Sequence, residues 1–209
     1  MEDFDDDLER LQRRTLDADQ TALAELFALH RLRLKRVVNL RLEHRLQGRV
    51  DASDVLQEAY LDLAKQLPEY AKQPNVRLFL WLRLVTVQRL AQVHRQHLGT
   101  AMRDADREVS IYNGPLPQAS TAFLASQLLG RFTSVSQRAI RAEIQMKLQE
   151  TLNTMDSVDR EVLALRHFEE LNNAETAQVL EISSAAASNR YVRALRRLRG
   201  AFSQLRTVV

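Results

Sequence analysis

Apolar residues recur at helical spacing through two long parts of the chain, and a stretch without any such period separates them. This stretch contains the run IYNGPLPQAS, and it is longer than an ordinary connection inside a compact domain. We therefore predict an all-α chain of two small helical domains joined by a flexible linker. The predicted boundaries are an acidic N-terminal tail over 1–19, a first helical domain over 20–103, the linker over 104–137 and a second helical domain over 138–209.

The composition favours helices and argues against several classes of protein. Among 209 residues there are only five glycines and four prolines, and the absence of cysteine removes disulfides and thiolate metal sites. The start MEDFDDDLE is unlike a secretion signal, and we expect it to be solvated and disordered. Charges interrupt every apolar run before the ~20 residues that a membrane helix needs. We expect a cytoplasmic protein that is not inserted into a membrane.

A helix-turn-helix is predicted near the C-terminus. A short capped helix from about Asn173 to Leu180, a break at 181–183 and a longer helix from Ser184 have the spacing of this motif. The second helix carries a stripe predicted to be buried, formed by Ala187, Tyr191, Ala194 and Leu198. Glycine is common in such a turn, whereas this chain has Glu181, so we expect a turn that is strained or differently shaped.

Basic residues are concentrated in two separate stretches, although the formal net charge is only +3. Residues 70–103 and the segment from Ile182 to the C-terminus contain no acid. This pattern indicates two contacts with a polyanion such as DNA, while surface arginines lying on apolar neighbours, or a basic helix that caps a bundle, would produce the same pattern. Asp54, Glu58 and Asp62 instead share one helix face, and their spacing by itself indicates a solvated face.

Three segments carry a resemblance to a known family. They are DASDVLQEAYLDL, FLWLRLVTVQRLAQVHRQ and LNTMDSVDREVLALRHFEELNNAETAQVLEISSAAASNRYVRALRRLR. In order, they resemble the acidic helix of region two, the Phe-x-x-Trp-Leu helix that follows it, and region four of the extracytoplasmic-function sigma factors of bacterial RNA polymerase. The resemblance implies a sigma factor that directs promoter recognition and transcription initiation through minus-ten and minus-thirty-five elements. Core RNA polymerase and promoter DNA are the implied partners.

The resemblance implies a polymerase-docking site on the acidic helix. In the family this helix docks on the clamp coiled coil of the largest polymerase subunits, which assigns the contact here to Asp54, Leu56, Gln57 and Glu58, with Leu56 as the apolar member. Carboxylates beside an amide can pair with arginines on a partner helix.

DNA contacts are implied in both domains. In the family, the loop before the third helix and that helix open the minus-ten element and hold an extruded base, which assigns Lys72, Asn75, Arg77, Arg83, Gln88 and Arg89. The second helix of the helix-turn-helix reads the minus-thirty-five element, which assigns Ser184, Ala186, Ser188, Asn189, Arg190 and Arg193. Asparagine suits base edges and arginine suits phosphates. Trp81 is either a core residue or a stacking platform for a base, and the core is favoured.

No catalytic, metal or cofactor site is predicted. The five glycines are scattered singly, so no phosphate-binding loop is present, and His94 and His97 lack a third metal ligand nearby. We expect a protein that is not an enzyme. The alternative function is a stand-alone helix-turn-helix regulator that binds DNA as a symmetric dimer. Many members of the family are held inactive by an anti-sigma factor, so such a protein or another regulator is a further expected partner.

Overall fold

The computed structural model describes residues 2–98, 117–132 and 138–206, and its regular structure is helical throughout. The chain divides into two compact units, Met1–Pro117 and Gln118–Val209. The predicted all-α fold class is confirmed, since no β-sheet forms within the described ranges. The predicted linker falls partly outside them, at 104–116 and 133–137.

The first unit is a bundle whose helices share one apolar core. Its helices are α1 (Glu2–Leu16), α2 (Gln20–Arg41), α3 (Ala52–Lys72) and α4 (Leu78–Leu98), with a 3₁₀ turn at His44–Leu46. Leu23, Leu34, Leu63, Leu82 and Leu90 are fully buried within this core. Burial of one side chain of this size stabilises a fold by about 1.5–3 kcal/mol, so the leucines that the helical spacing places on inward faces hold the unit together.

Helix α1 corrects the expectation of a solvated tail over 1–19. Leu8 packs against the core of the first unit, which gives this acidic segment a buried side. Arg14 donates two hydrogen bonds to Asp19, and Asp19 in turn caps the N-terminus of α2. The hydrogen bond from Arg14 and those from backbone N–H groups of α2 lower the pKa of Asp19.

Helix α3 continues through Pro68, although a proline inside a helix usually kinks or ends it. A proline at this position cannot donate to the carbonyl of Ala64, one turn earlier. The side-chain amide of Gln20 donates to the Ala64 oxygen instead, at 2.9 Å. Because another helix supplies the missing donor, α3 extends to Lys72.

The second unit contains α5 (Thr121–Phe132), α6 (Arg138–Asn153), α7 (Ser157–Leu163) with a π-helical turn (Ala164–Phe168), α8 (Asn173–Val179) and α9 (Ser184–Arg206). Its buried residues include Leu124, Leu148, Leu152, Val162 and Leu165. Helix α5 lies inside the range predicted as linker, and this is a correction, because it packs against α6 and buries Leu124.

Candidate nucleic-acid interface

The helix-turn-helix forms where the sequence predicts it. Helix α8 begins with a capping box, in which the Asn172 side chain accepts from the Glu175 N–H and the Glu175 carboxylate accepts from the Asn172 N–H. Helix α9 follows after a short turn, and the side chain of Asn173 donates to the Ser184 carbonyl at 2.8 Å. This bond ties the start of the first helix to the start of the second.

The turn between α8 and α9 holds Glu181 in a left-handed conformation, with φ of 54°. The N–H of Ile182 donates to the Ala177 carbonyl at 3.0 Å, and that of Glu181 donates to the Gln178 carbonyl at 3.3 Å. This pair of bonds is the Schellman arrangement, which usually has glycine in the left-handed position. The strained turn expected from Glu181 is therefore observed.

Helix α9 has one buried side and one open side. Ala187, Ala194 and Leu198 are buried and Tyr191 is half-buried, as the predicted stripe requires. On the open side, Ser184, Ser188 and Asn189 are exposed, and Ala186 is half-buried. Small and polar side chains on the first turns leave room for a close approach to a groove.

Two of the predicted DNA-contacting residues on α9, Arg190 and Arg193, are bound to carboxylates in and just before the first turn of α7. Arg193 donates through Nε and Nη2 to the two oxygens of Asp159, both at 2.6 Å. Arg190 donates through Nη1 to Asp156 at 3.0 Å and to Asp159 at 2.9 Å. These two arginines are therefore held in place in the structure, and Arg193 still has a side chain that is 57% exposed.

The predicted minus-ten residues divide into exposed and buried ones. Lys72, Asn75 and Arg77 are exposed around the segment that joins α3 to α4. Arg83 is only 3% exposed, which corrects the expectation that its side chain is open to DNA. Gln88 and Arg89 on α4 are half-buried, and Arg89 donates from Nε to Asp62 of α3 at 2.7 Å.

Trp81 lies in the core of the first unit and stacks on Tyr70, with ring centroids 4.2 Å apart. The structure thus favours the core role over a platform for bases. The Tyr70 hydroxyl donates to the Val76 carbonyl at 2.7 Å, and burial raises the pKa of Tyr70 to about 12. This bond fixes the short segment that carries Asn75 and Arg77.

The predicted docking face on α3 is exposed at Asp54, Gln57 and Glu58. Leu56 is 1% exposed in the core, so the expectation that it is the apolar contact is corrected. Leu61, which the sequence analysis missed, is 57% exposed one turn beyond Gln57. An exposed leucine at helical spacing from the acidic residues was the available signal.

Gln57 and Leu61 line an open groove of about 530 Å³ between α2 and α3, together with Ala24 and Ala28. Small side chains on α2 leave this groove open, and its lining is mainly apolar. Asp54 and Glu58 lie on the same helix as these two residues. The face therefore combines an apolar strip with carboxylates.

Within the described ranges, no group of three or more histidine, aspartate and glutamate side chains is placed to hold a metal ion. His94 accepts a hydrogen bond from the Glu43 N–H at 3.3 Å, and burial lowers its pKa. No described helix has the length and apolar character needed to cross a membrane.

The comparisons with known proteins point to one family. Residues 145–198 match the family model described as sigma-70, region 4. No curated protein sequence matches the chain. The solved structure of CnrH, in complex with the cytosolic domain of CnrY, is similar over 93% of this chain and 96% of that one, with a TM-score of 0.52 and 19% identity.

A second solved structure is similar at a lower score. It is the sigma factor RpoE in complex with the anti-sigma factor NepR from Bartonella quintana, with a TM-score of 0.47, 16% identity, and coverage of 86% of this chain and 95% of that one. The region 4 match covers the end of α6, all of α7 and α8, and most of α9, and it therefore includes the helix-turn-helix. The second unit thus carries a sigma-70 region 4 domain, and the helical fold of the chain is similar to that of CnrH.

Proposed function

We propose that this chain is an extracytoplasmic-function sigma factor, which directs core RNA polymerase to promoters through three separate surfaces. One surface docks on the polymerase, a second contacts the minus-ten element and a third reads the minus-thirty-five element. The observation that carries the proposal is the open side of α9, which follows a helix-turn-helix and has no acidic residue between Ser184 and the C-terminus. A helix with this composition fits a groove lined with phosphates.

The polymerase-docking surface consists of Asp54, Gln57, Glu58 and Leu61 on α3. Three of these residues present charge or an amide, and Leu61 adds the apolar contact that the buried Leu56 cannot make. A partner helix with arginines beside an apolar residue would match this face. The clamp coiled coil of the polymerase is the partner that the family resemblance implies.

The minus-ten surface centres on Asn75 and Arg77, with Lys72 at its edge. These side chains are exposed on a segment that the Tyr70 hydroxyl holds through Val76. A fixed backbone lowers the conformational entropy that the segment loses when it binds an unpaired strand. We assign the base contact to Asn75, because an amide can both donate to and accept from a base edge.

The minus-thirty-five surface consists of Ser184, Ala186, Ser188, Asn189 and Arg193. Asn189 is exposed and is suited to a base edge, while Ser184 and Ser188 leave space for the groove. Arg190 contributes less directly in this proposal, because it is half-buried between two carboxylates.

We further propose that a regulatory protein controls this sigma factor. CnrH was solved in complex with the cytosolic domain of CnrY. By analogy, an anti-sigma factor or another regulator binds the present chain. The protein acts by binding, without catalysis, in the cytoplasm where the polymerase works.

The test combines the full-length chain, core polymerase and a library of random duplexes. We expect the chain with core polymerase to select duplexes with two spaced elements, and to bind core polymerase without DNA. Tight binding of the chain alone to palindromes, without affinity for core polymerase, would instead establish the stand-alone regulator.

Charge reversal tests the docking surface. The double variant Asp54→Lys/Glu58→Lys should lose about 100-fold in polymerase affinity, since like charges brought together at an interface cost several kcal/mol. Glu69→Lys is the control for charge reversal elsewhere on the same helix, because Glu69 is 77% exposed, lies outside the docking surface and pairs with Lys72. Polymerase affinity is measured without DNA, so that the loss of this pair does not enter through the minus-ten surface. Equal affinities of the three proteins would refute the docking assignment, provided that circular dichroism shows the same helical content.

A further inference from the structure

A buried carboxylate lies directly behind the DNA-reading side of α9. Asp159, in the first turn of α7, has a side chain that is only 2% exposed. Its oxygens accept two hydrogen bonds from Arg193 and one from Arg190. Burial by itself would raise the pKa of Asp159, but the hydrogen bonds from Arg193 and Arg190 outweigh it and lower the pKa, so the group is a carboxylate at neutral pH.

The contact fixes the orientation of the Arg193 guanidinium. A guanidinium has five N–H donors in one plane, and Arg193 uses the edge formed by Nε and Nη2 to bind Asp159. Its other edge, which includes both N–H groups of Nη1, is turned away from this carboxylate. The Arg193 side chain is 57% exposed, so part of it remains accessible to a ligand while the Nε and Nη2 edge binds Asp159.

A free arginine side chain loses about 2 kcal/mol of rotamer entropy when it is held in one conformation. In Arg193 the bidentate bond to a rigid, buried acceptor removes most of this freedom before any ligand arrives. The remaining edge can then donate to a phosphate or to a guanine edge with little further loss. The ion pair with Asp159 also reduces the positive charge of this surface. Its contribution to DNA binding is therefore to orient the guanidinium and not to add charge.

We propose that Asp159 is a positioning residue of the minus-thirty-five surface, which holds the Arg193 guanidinium so that its outer edge faces the major groove. This inference rests on the proposed function of α9. It assigns a role in promoter discrimination to a residue that cannot touch DNA itself. The partner of the outer edge is a guanine or a backbone phosphate at the promoter.

The test compares wild-type protein with Asp159→Asn, each with core polymerase. The probes are a duplex selected by the wild-type holoenzyme and a scrambled duplex of equal length. The substitution removes a negative charge, which by itself would strengthen binding to both duplexes. We expect the ratio of the two affinities to fall by about 10-fold, because the arginine loses its fixed orientation.

Asp156→Asn is the matched control. It removes the same charge, asparagine is an equally good N-cap for α7, and Asp156 makes no hydrogen bond to Arg193. We expect this variant to keep the affinity ratio within about twofold of wild type, the range of a surface charge change. An equal drop in both variants would overturn the proposal, since charge alone would then explain the result.

A double-mutant cycle separates positioning from a structural role. If Asp159 acts through Arg193, then Asp159→Asn has no further effect on the affinity ratio in an Arg193→Ala background. Additive losses would overturn the proposal. If Asp159→Asn does not fold, Arg193→Lys is the substitute, because it keeps the charge but lacks the fork. An unchanged ratio in that variant would likewise refute the inference.

The two possible failures can be told apart. If the wild-type holoenzyme selects no sequence, the proposed function fails, and the positioning role that rests on it fails as well. If selection succeeds while the ratio is unaffected by loss of the carboxylate, only the positioning role fails.

Discussion

Helices α4 and α9 look alike in the sequence but use their arginines differently. Both lie in long stretches without any acidic residue. In α4, Arg83 is buried and Arg89 is half-buried against Asp62 of α3. In α9, Arg193 is also bound to an acid, but more than half of its side chain is exposed, and Arg196 is exposed as well.

This comparison shows that an acid-free segment is not necessarily a free cationic surface. The neutralising carboxylates come from another helix, α3 for Arg89 and α7 for Arg193. The sequence of an acid-free segment does not show these carboxylates, because they belong to other helices. The two ion pairs differ in burial, because the Arg89 side chain is 21% exposed and the Arg193 side chain is 57% exposed. The pair in α4 therefore contributes mainly to the fold, whereas the pair in α9 leaves much of the arginine accessible.

The largest expected effect concerns the arginine of α4. Arg89→Ala should lower the free energy of unfolding of the first unit by about 2 kcal/mol, because Asp62 loses hydrogen bonds from a charged donor in a half-buried site. Urea unfolding followed by Trp81 fluorescence measures this unit alone, since Trp81 is the single tryptophan and lies in its core.

Arg196→Ala on α9 is the matched control. Arg196 is exposed, so we expect a change in the unfolding free energy below about 0.5 kcal/mol by circular dichroism. Equal losses for the two substitutions would break the comparison between α4 and α9. If Arg89→Ala left the free energy of unfolding unchanged but weakened promoter binding, Arg89 would be assigned to the DNA-contacting residues.

The sequence predicts those parts of the molecule in which local signals agree. The turn at Glu181, the cap at Asn172 and the alternation on α9 are set within a few residues, so the helix-turn-helix is placed correctly. The helical spacing of Asp54 and Glu58 is enough to predict the exposed side of α3. The burial of Leu56 has the same origin, although the resemblance assigned it a surface role.

The failures have a common cause in contacts between distant residues. The N-terminal segment is rich in acids, but its Leu8 packs against the core of the first unit when α1 forms. The acidic sequence alone does not indicate this contact. A contact between distant residues also explains the helical Pro68, because the Gln20 amide donates to the Ala64 carbonyl. The burial of Arg83 cannot be inferred from its neighbours along the chain, since apolar and basic positions alternate around α4.

A smaller effect concerns the hydrogen bond from Tyr70 to Val76, which holds the segment between α3 and α4. Burial raises the pKa of Tyr70 to about 12 in the folded chain. As the pH rises above about 10, the ordinary pKa of tyrosine, the unfolded chain therefore loses this proton before the folded chain does. Stability from this group is therefore complete below about pH 10 and is lost towards pH 12, with a loss of about 1 kcal/mol by pH 11.

Urea unfolding of wild type and Tyr70→Phe, followed by Trp81 fluorescence from pH 9 to pH 11, measures this loss. The phenylalanine variant lacks the bond to Val76 and starts at a lower stability, but its pH dependence should be flatter. Parallel curves for the two proteins would show that other groups cause the alkaline loss, and that Tyr70 does not hold the segment as a neutral donor.

The smallest expected effect compares left-handed residues in the two units. Glu181, in the turn before α9, and Ala18, in the turn before α2, have φ of 54° and 61°. A residue with a Cβ is strained there by about 1–2 kcal/mol, while glycine adds about 0.4–1 kcal/mol of chain entropy to the unfolded state.

Because Glu181 is exposed and has no side-chain packing to lose, Glu181→Gly should stabilise the second unit by about 0.5 kcal/mol. Ala18 packs against the core of the first unit, so Ala18→Gly should give no net gain. Thermal unfolding of both variants, followed by circular dichroism, measures these changes. If Glu181→Gly were destabilising, the turn at Glu181 would not be strained.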